Sequence, residues 1–189
     1  MRTATITSAQ NPKIKMLLAL GEKSRTRREN SLFVVEGRKE IGHCLDAGYK
    51  VRTLFACPEI IPERELEKLS ERCGEDCTIV NVPAHLYEKI AYRGSTEGVI
   101  AEAEIIDKSL GDIKLRENPL VIVLESVEKP GNLGAVLRTA DAADADAVVI
   151  CDPLTDLYNP NLIRSSLGAT FTRQVVAATS GGTPKWLND

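Results

Sequence analysis

Residues 128–140, Glu128-Lys-Pro-Gly-Asn-Leu-Gly-Ala-Val-Leu-Arg-Thr-Ala, carry the strongest chemical signal in the chain. They follow a strand-like run and open a helix-like one, which is where open α/β sheets receive ligands. The spacing argues against two common phosphate loops. Gly131 and Gly134 have no third glycine where a dinucleotide fingerprint needs it, and no Gly-Lys-Ser/Thr follows to make a P-loop. The same spacing disfavours half of a nucleotide-binding oxidoreductase. As local structure, Asn132 is expected to cap the helix and the glycines to allow a tight turn. Arg138 is not explained that way. On a helix it shares a face with Gly134, Asp141 and Ala142, and its side chain leans back toward the N-terminus. A guanidinium beside an amide and a glycine loop suits an anionic or alkoxide oxygen; a surface ion pair with Asp141 is the alternative.

A second segment, Asn159-Pro-Asn-Leu-Ile-Arg-Ser-Ser-Leu-Gly-Ala-Thr-Phe, runs from 159 to 171. Asn159 and Pro160 predict a capped short helix, and Gly168 its end. Arg164, Ser165 and Ser166 just before that glycine invite a ligand-facing role, against the simpler reading of a capped connector. The five cysteines, Cys44, Cys57, Cys73, Cys77 and Cys151, are odd in number, which argues against a disulfide framework. Cys73 and Cys77, with His85 beyond, lack a second pair at metal-ligand spacing, so free thiols are expected and no metal.

Charge is distributed unevenly. Residues 1–30 hold seven bases (Arg2, Lys13, Lys15, Lys23, Arg25, Arg27 and Arg28) against Glu22 and Glu29, within a chain of net charge −3. A basic opening of this kind suits a polyanion; a solvated helix face is the simpler alternative.

Several elements must hold these residues in place. Asn11-Pro12 predicts an N-cap and first helical residue, with the helix running through Leu20. Leu32–Glu36 reads as a strand, Arg38–Ala47 as a helix closed by Gly48, and Val51–Ala56 as a strand. Glu63–Arg72 reads as a helix, Thr78–Val82 as a strand, Pro83–Tyr92 as a helix and Gly98–Ala103 as a closing strand. Strands alternating with helices imply a parallel or mixed sheet covered on both faces. Residues 107–118 are polar and read as a linker with one helical turn. A second α/β unit then follows, with strand Leu120–Leu124, helix Leu133–Ala145, strand Ala147–Cys151 and a third strand near Arg173–Ala177. A short helix is expected from Thr183-Pro184.

The 189 residues predict one or two domains, and 43% hydrophobic content is enough for a core. No apolar run is long enough to cross a bilayer, and Met1–Gln10 has no secretory apolar stretch. The expectation is a cytosolic globular protein.

Taken together, these motifs resemble a known family. Asn132 to Ala140, N-x-G-x-x-x-R-T-A, resembles motif 1 of the SpoU family of RNA ribose methyltransferases. Ile163-Arg-Ser-Ser-Leu-Gly-Ala-Thr-Phe is similar to its motif 2. Ser8-Ala-Gln-Asn-Pro-Lys-Ile-Lys and Phe33-Val-Val-Glu-Gly-Arg resemble its substrate-binding domain.

The resemblance implies an α/β protein. Residues 1–106 would be a ribosomal-protein-like RNA-binding domain, 107–118 a linker, and 119–189 an incomplete SPOUT-type, trefoil-knot methyltransferase domain. It also implies a homodimer that transfers methyl from S-adenosyl-L-methionine to a ribose 2′-hydroxyl in structured rRNA or tRNA. Asn132 and Arg138 match the catalytic positions, with Arg138 better suited to stabilise an alkoxide than to act as a base. Lys13, Lys15, Arg25, Arg27, Arg28 and Arg38 are candidates for RNA phosphate contacts, and Ser166 and Gly168 for the cofactor. The family's third motif has no counterpart in these residues. A shortened form with impaired cofactor binding and activity is therefore expected, and a non-catalytic RNA-binding module is the alternative.

Overall fold

The computed structural model describes residues 2–92, 97–172 and 174–188. The chain forms two compact units, residues 1–105 and 106–189.

In the first unit, β1 (Arg2–Thr5), β2 (Leu32–Glu36), β3 (Val51–Ala56), β4 (Thr78–Asn81) and β5 (Val99–Glu104) form one sheet in the order β1-β4-β3-β5-β2. β1, β4 and β3 run parallel, while β5 is antiparallel to both β3 and β2. Among the described residues the helices accompanying the sheet are α1 (Pro12–Glu22), α2 (Ser24–Asn30), α3 (Arg38–Asp46), α4 (Glu63–Cys73) and α5 (Ala84–Ile90). One core layer joins Ile14, Leu17 and Leu20 of α1 and Leu86 and Tyr87 of α5 to Val34, Phe55, Val80 and Ile100 of the sheet. Phe33, Leu54 and Ala101, at alternate strand positions, are buried too, as period-two alternation requires of a sheet with two buried faces.

Asn11 caps α1 as its sequence predicts, its side chain accepting from the Lys13 N–H at 2.9 Å, with Pro12 following. Two elements have no counterpart in the sequence reading. β1 carries only Arg, Thr and Ala and is exposed throughout, and α2 (Ser-Arg-Thr-Arg-Arg-Glu-Asn) has no apolar residue at all. Neither offers a hydrophobic period.

The second unit is a three-stranded parallel sheet, β6 (Val121–Glu125), β7 (Ala147–Cys151) and β8 (Gln174–Ala178), in that order. Its helices are α6 (Pro130–Ala142), α7 (Pro160–Ser165), α8 (Ala169–Thr172) and α9 (Thr183–Asn188). Leu133, Leu137 and Ala140 of α6 and Leu162 of α7 pack on Val148, Ile150 and Val175. The opposite face is covered unevenly. Val149 is buried, yet its register neighbour Val123 is 42% exposed. α9 is fastened at its first residue, where the Thr183 hydroxyl meets the Cys151 thiol at 3.1 Å and donates to the Thr179 carbonyl at 2.9 Å.

The segment 107–118 contains the expected single turn, Leu110–Asp112, and is bound to the second unit. The Gln174 amide pairs both ways with the Lys114 backbone, at 2.8 and 2.7 Å. Arg116 holds Asp146 and Asp144 at 2.7 and 2.6 Å.

Candidate functional site

Parallel strands bring the loops after β6, β7 and β8 to one edge of the second sheet, and α6 starts there. The helix begins earlier than its apolar period indicates. Pro130 is its first residue and Lys129 its N-cap, which places Asn132 inside the first turn. The expectation that Asn132 caps the helix is therefore corrected. Proline pre-sets the helical φ and lacks the N–H that a cap would have served. The helix ends earlier too, at Ala142. Asp144 turns left-handed at φ 54°, and the Ala145 N–H closes onto the Ala140 carbonyl at 2.9 Å. Relieved of capping, the exposed Asn132 amide hydrogen-bonds to no other described residue.

Gly134 faces α7 at a distance no other residue could take. A Cβ there would stand 2.1 Å from Ser165 Oγ and 2.8 Å from Ser165 Cβ. The glycine is required by the close approach of two helices. Ser165 then serves both sides of the contact. Its hydroxyl donates to the Pro130 carbonyl at 3.1 Å, and its own carbonyl accepts from Arg138 Nη1. Motif 1 and motif 2 are thus fastened together through one serine. The proposed ion pair of Arg138 with Asp141 is not what holds the guanidinium; Asp141 instead accepts from the Thr172 hydroxyl at 2.8 Å. Arg138 remains exposed, with one N–H engaged on Ser165 and the others facing solvent. Facing glycine and serine in separate motifs is a tertiary coincidence that sequence spacing does not display.

Ser166 and Gly168, the cofactor candidates, point the other way. Ser166 is fully buried, donates to the Ile163 carbonyl at 2.9 Å and accepts from the Thr170 N–H at 3.4 Å. Gly168, at φ 81°, is buried, and its N–H closes α7 on the Ile163 carbonyl at 3.1 Å. Both hold the turn between α7 and α8, because a helix ending inside a core must satisfy its last carbonyls locally. The Ser166 hydroxyl and the Gly168 N–H are thus engaged within their own unit.

The basic candidates of the first unit fall into three groups. Lys13, Lys15 and Arg28 are exposed and form no ion pair among the described residues. Arg25 is exposed but pairs with Glu29 at 2.6 Å, and Arg38 has Glu97 and Glu65 at 3.6 and 3.9 Å. Arg27 is a correction. It is 2% exposed, and its Nη1 donates to the Leu20 carbonyl at 2.5 Å and the Gly21 carbonyl at 3.4 Å. A buried cation on the last carbonyls of α1 neutralises their partial negative charge, so it is a structural group and not a phosphate contact.

Two buried carboxylates differ in their surroundings. Glu102 on β5 is pushed up to about 6 by burial, with the Thr53 hydrogen bond and the charge of Lys13 opposing the shift. Asp146 is held well below the usual carboxylate range by Arg116, with the Leu120 N–H adding to the effect. Arg116, Asp144 and Asp146 line a cavity of about 330 Å³ beside the starts of β7 and β8, at the end of the sheet opposite the start of α6.

Comparisons with known proteins bear on both units. Residues 11–101 match the model of the MRM3-like substrate binding domain, and residues 119–183 that of the SpoU rRNA Methylase family. A 23S rRNA (uridine(2479)-2′-O)-methyltransferase of Streptomyces viridochromogenes is 30% identical over 86% of this chain. The chain spans 56% of that curated relative's length. The crystal structure of an RNA 2′-O ribose methyltransferase superposes with a TM-score of 0.80 at 32% identity, covering 97% of this chain and 69% of the other. An AdoMet-bound rRNA methyltransferase from Sinorhizobium meliloti gives 0.86 at 26% identity, covering 98% and 69%.

Proposed function

The chain belongs to the SpoU family of rRNA methylases, and from that premise we propose that it serves methyl transfer from S-adenosyl-L-methionine to a ribose 2′-hydroxyl in structured rRNA or tRNA. The observation that carries this reading is the placement of Arg138. It lies exposed and fixed to Ser165 on α6, the helix that starts at the ligand-binding edge of a parallel sheet and carries the exposed side-chain amide of Asn132 in its first turn. The cofactor supplies an electrophilic methyl group. This chain's residues work on the other partner, the hydroxyl. Asn132 orients the ribose, and Arg138 stabilises negative charge as the hydroxyl loses its proton, since a guanidinium stays protonated and cannot act as the base. Alignment of the two reactants accounts for most of the remaining catalysis.

Residues 1–106 grip the RNA through Lys13, Lys15 and Arg28, whose phosphate contacts set affinity and not sequence choice. The protein acts in the cytosol as a homodimer. The Ser166 side chain is spent inside its own unit, so the cofactor contact expected of Ser166 and Gly168 would have to come from their backbone. For the 189-residue chain alone we expect weak cofactor binding, because a ligand of that size needs a pocket burying most of its surface. Titration calorimetry with S-adenosylmethionine tests this; micromolar binding would overturn it. The inward turn of Ser166 and Gly168 also favours a second reading, in which the chain is a non-catalytic RNA-binding module.

The protein, incubated with methyl-labelled S-adenosylmethionine and rRNA, separates the two readings. Label in alkali-resistant dinucleotides supports ribose methylation. Label in a base contradicts it, and RNA binding without label supports the second reading.

A further inference from the structure

Three of the five cysteines converge at one corner of the first unit: Cys73 ends α4, Cys77 immediately precedes β4, and Cys44 lies on α3. The backbone brings the first two together. α4 stops at Gly74, whose φ of 81° turns the chain back, and the Cys77 N–H closes that turn on the Gly74 carbonyl at 3.3 Å. The neighbouring Cys77 thiol acts on Cys73 more strongly than burial does. Cys73 is half-buried and reachable from solvent, while Cys44 and Cys77 are buried. Among the described residues no group of three His, Cys, Asp or Glu side chains could hold a metal ion.

We propose that Cys73 and Cys77 form a redox-modification site, a dithiol that closes to an intrachain disulfide when oxidised by a peroxide. In the first step one sulfur attacks the peroxide oxygen, becoming a sulfenic acid and releasing water. In the second, the other sulfur displaces the sulfenic hydroxyl as a second water and the S–S bond forms. Two thiols and one hydrogen peroxide thus yield one disulfide and two waters. The mutual influence of the two thiols supports the chemistry: it raises Cys73 and lowers Cys77, so Cys77 has more thiolate character than an isolated buried thiol. The bond would clamp the end of α4 to the start of β4, a central neighbour of β1 and β3.

The test treats the chain with hydrogen peroxide, unfolds it, blocks free thiols with iodoacetamide and digests it with trypsin. Cys73 and Cys77 fall in one peptide, residues 73–89, because Arg72 and Lys89 bound it. The expected product is that peptide, unalkylated and lighter by two hydrogens, with Cys44, Cys57 and Cys151 alkylated, and with both changes reversed by dithiothreitol. A sulfinic or sulfonic acid at Cys73, a disulfide from either sulfur to Cys44, or alkylation of both thiols would overturn the proposal. The Cys77→Ser chain adds a second readout: a sulfenic acid at Cys73 that persists and is trapped by dimedone. Failure to trap it, after the unmodified chain has formed the disulfide, would assign the first oxidation to Cys77.

Discussion

The two units use arginine in opposite ways. In the first, Arg27 sits in the most basic stretch of the chain and is buried, closing α1 from inside. In the second, Arg138 lies on an amphipathic helix and is exposed, held among the described residues by the carbonyl of Ser165. Positive charge density therefore does not mark the residue that meets a ligand. What marks it is being fixed in place while donors remain unspent. Arg27 spends its Nη1 on its own unit; Arg138 keeps N–H groups for something else.

The largest expected effect breaks the second half of that contrast. Gly134→Ala would press a methyl group onto Ser165, parting α6 from α7 and releasing Arg138. Overpacking of this kind costs about 3 kcal/mol, read as a lowered urea midpoint for the second unit. An unchanged midpoint would mean that α7 yields freely and does not hold the guanidinium.

Arg27→Ala addresses the first half. Loss of charged hydrogen bonds to buried carbonyls is expected to cost about 2 kcal/mol of stability in the first unit. The salt dependence of RNA binding should stay the same. A shallower salt slope in a variant that remains folded would return Arg27 to the RNA surface.

The buried carboxylates sharpen the comparison by pH. Glu102 has a folded pKa of about 6 against an ordinary 4.5, so its neutral form favours the fold. Stability should fall by roughly 2 kcal/mol as pH rises from about 4.5 through 6, and the loss should vanish in Glu102→Gln. Asp146 has the opposite sign. Its depressed pKa stabilises the second unit at neutral pH, and that contribution is lost as acid approaches and passes below the usual carboxylate range. Two-probe acid titration, one reporter per unit, separates the two.

The smallest effect on stability is expected from Lys13→Ala, Lys15→Ala and Arg28→Ala together, within about 0.5 kcal/mol per site because these side chains are exposed. Their signature is in RNA binding, where the dependence of log Kd on log salt should flatten by close to one per lost phosphate contact. An unchanged slope would remove these residues from the interface.

Much of this molecule is legible in its residue order. β2, β3 and β7 have the bounds the sequence predicts, and β7, apolar along its whole length, is buried on both faces. β1 and α2 escape notice because they contain no apolar period, and α2 is held partly by its one buried arginine. Motif 1 is visible as a motif, yet the start of α6 is set by Pro130 and not by the asparagine that looks like a cap. The same holds for motif 2. The inward turn of Ser166 and Gly168 follows from where α7 must end inside the core, and no local spacing encodes that depth. The role of Ser165 depends on a facing glycine some thirty residues away.

The central claim is that Arg138 acts on a ribose hydroxyl. The most direct measurement maps 2′-O-methylation across rRNA and tRNA, by resistance to alkaline cleavage, in cells whose gene carries Arg138→Ala at its own locus. The account predicts loss of protection at one ribose, every other methylated position unchanged, and the variant protein present at its normal level and still bound to RNA. A map identical to that of unaltered cells would contradict it.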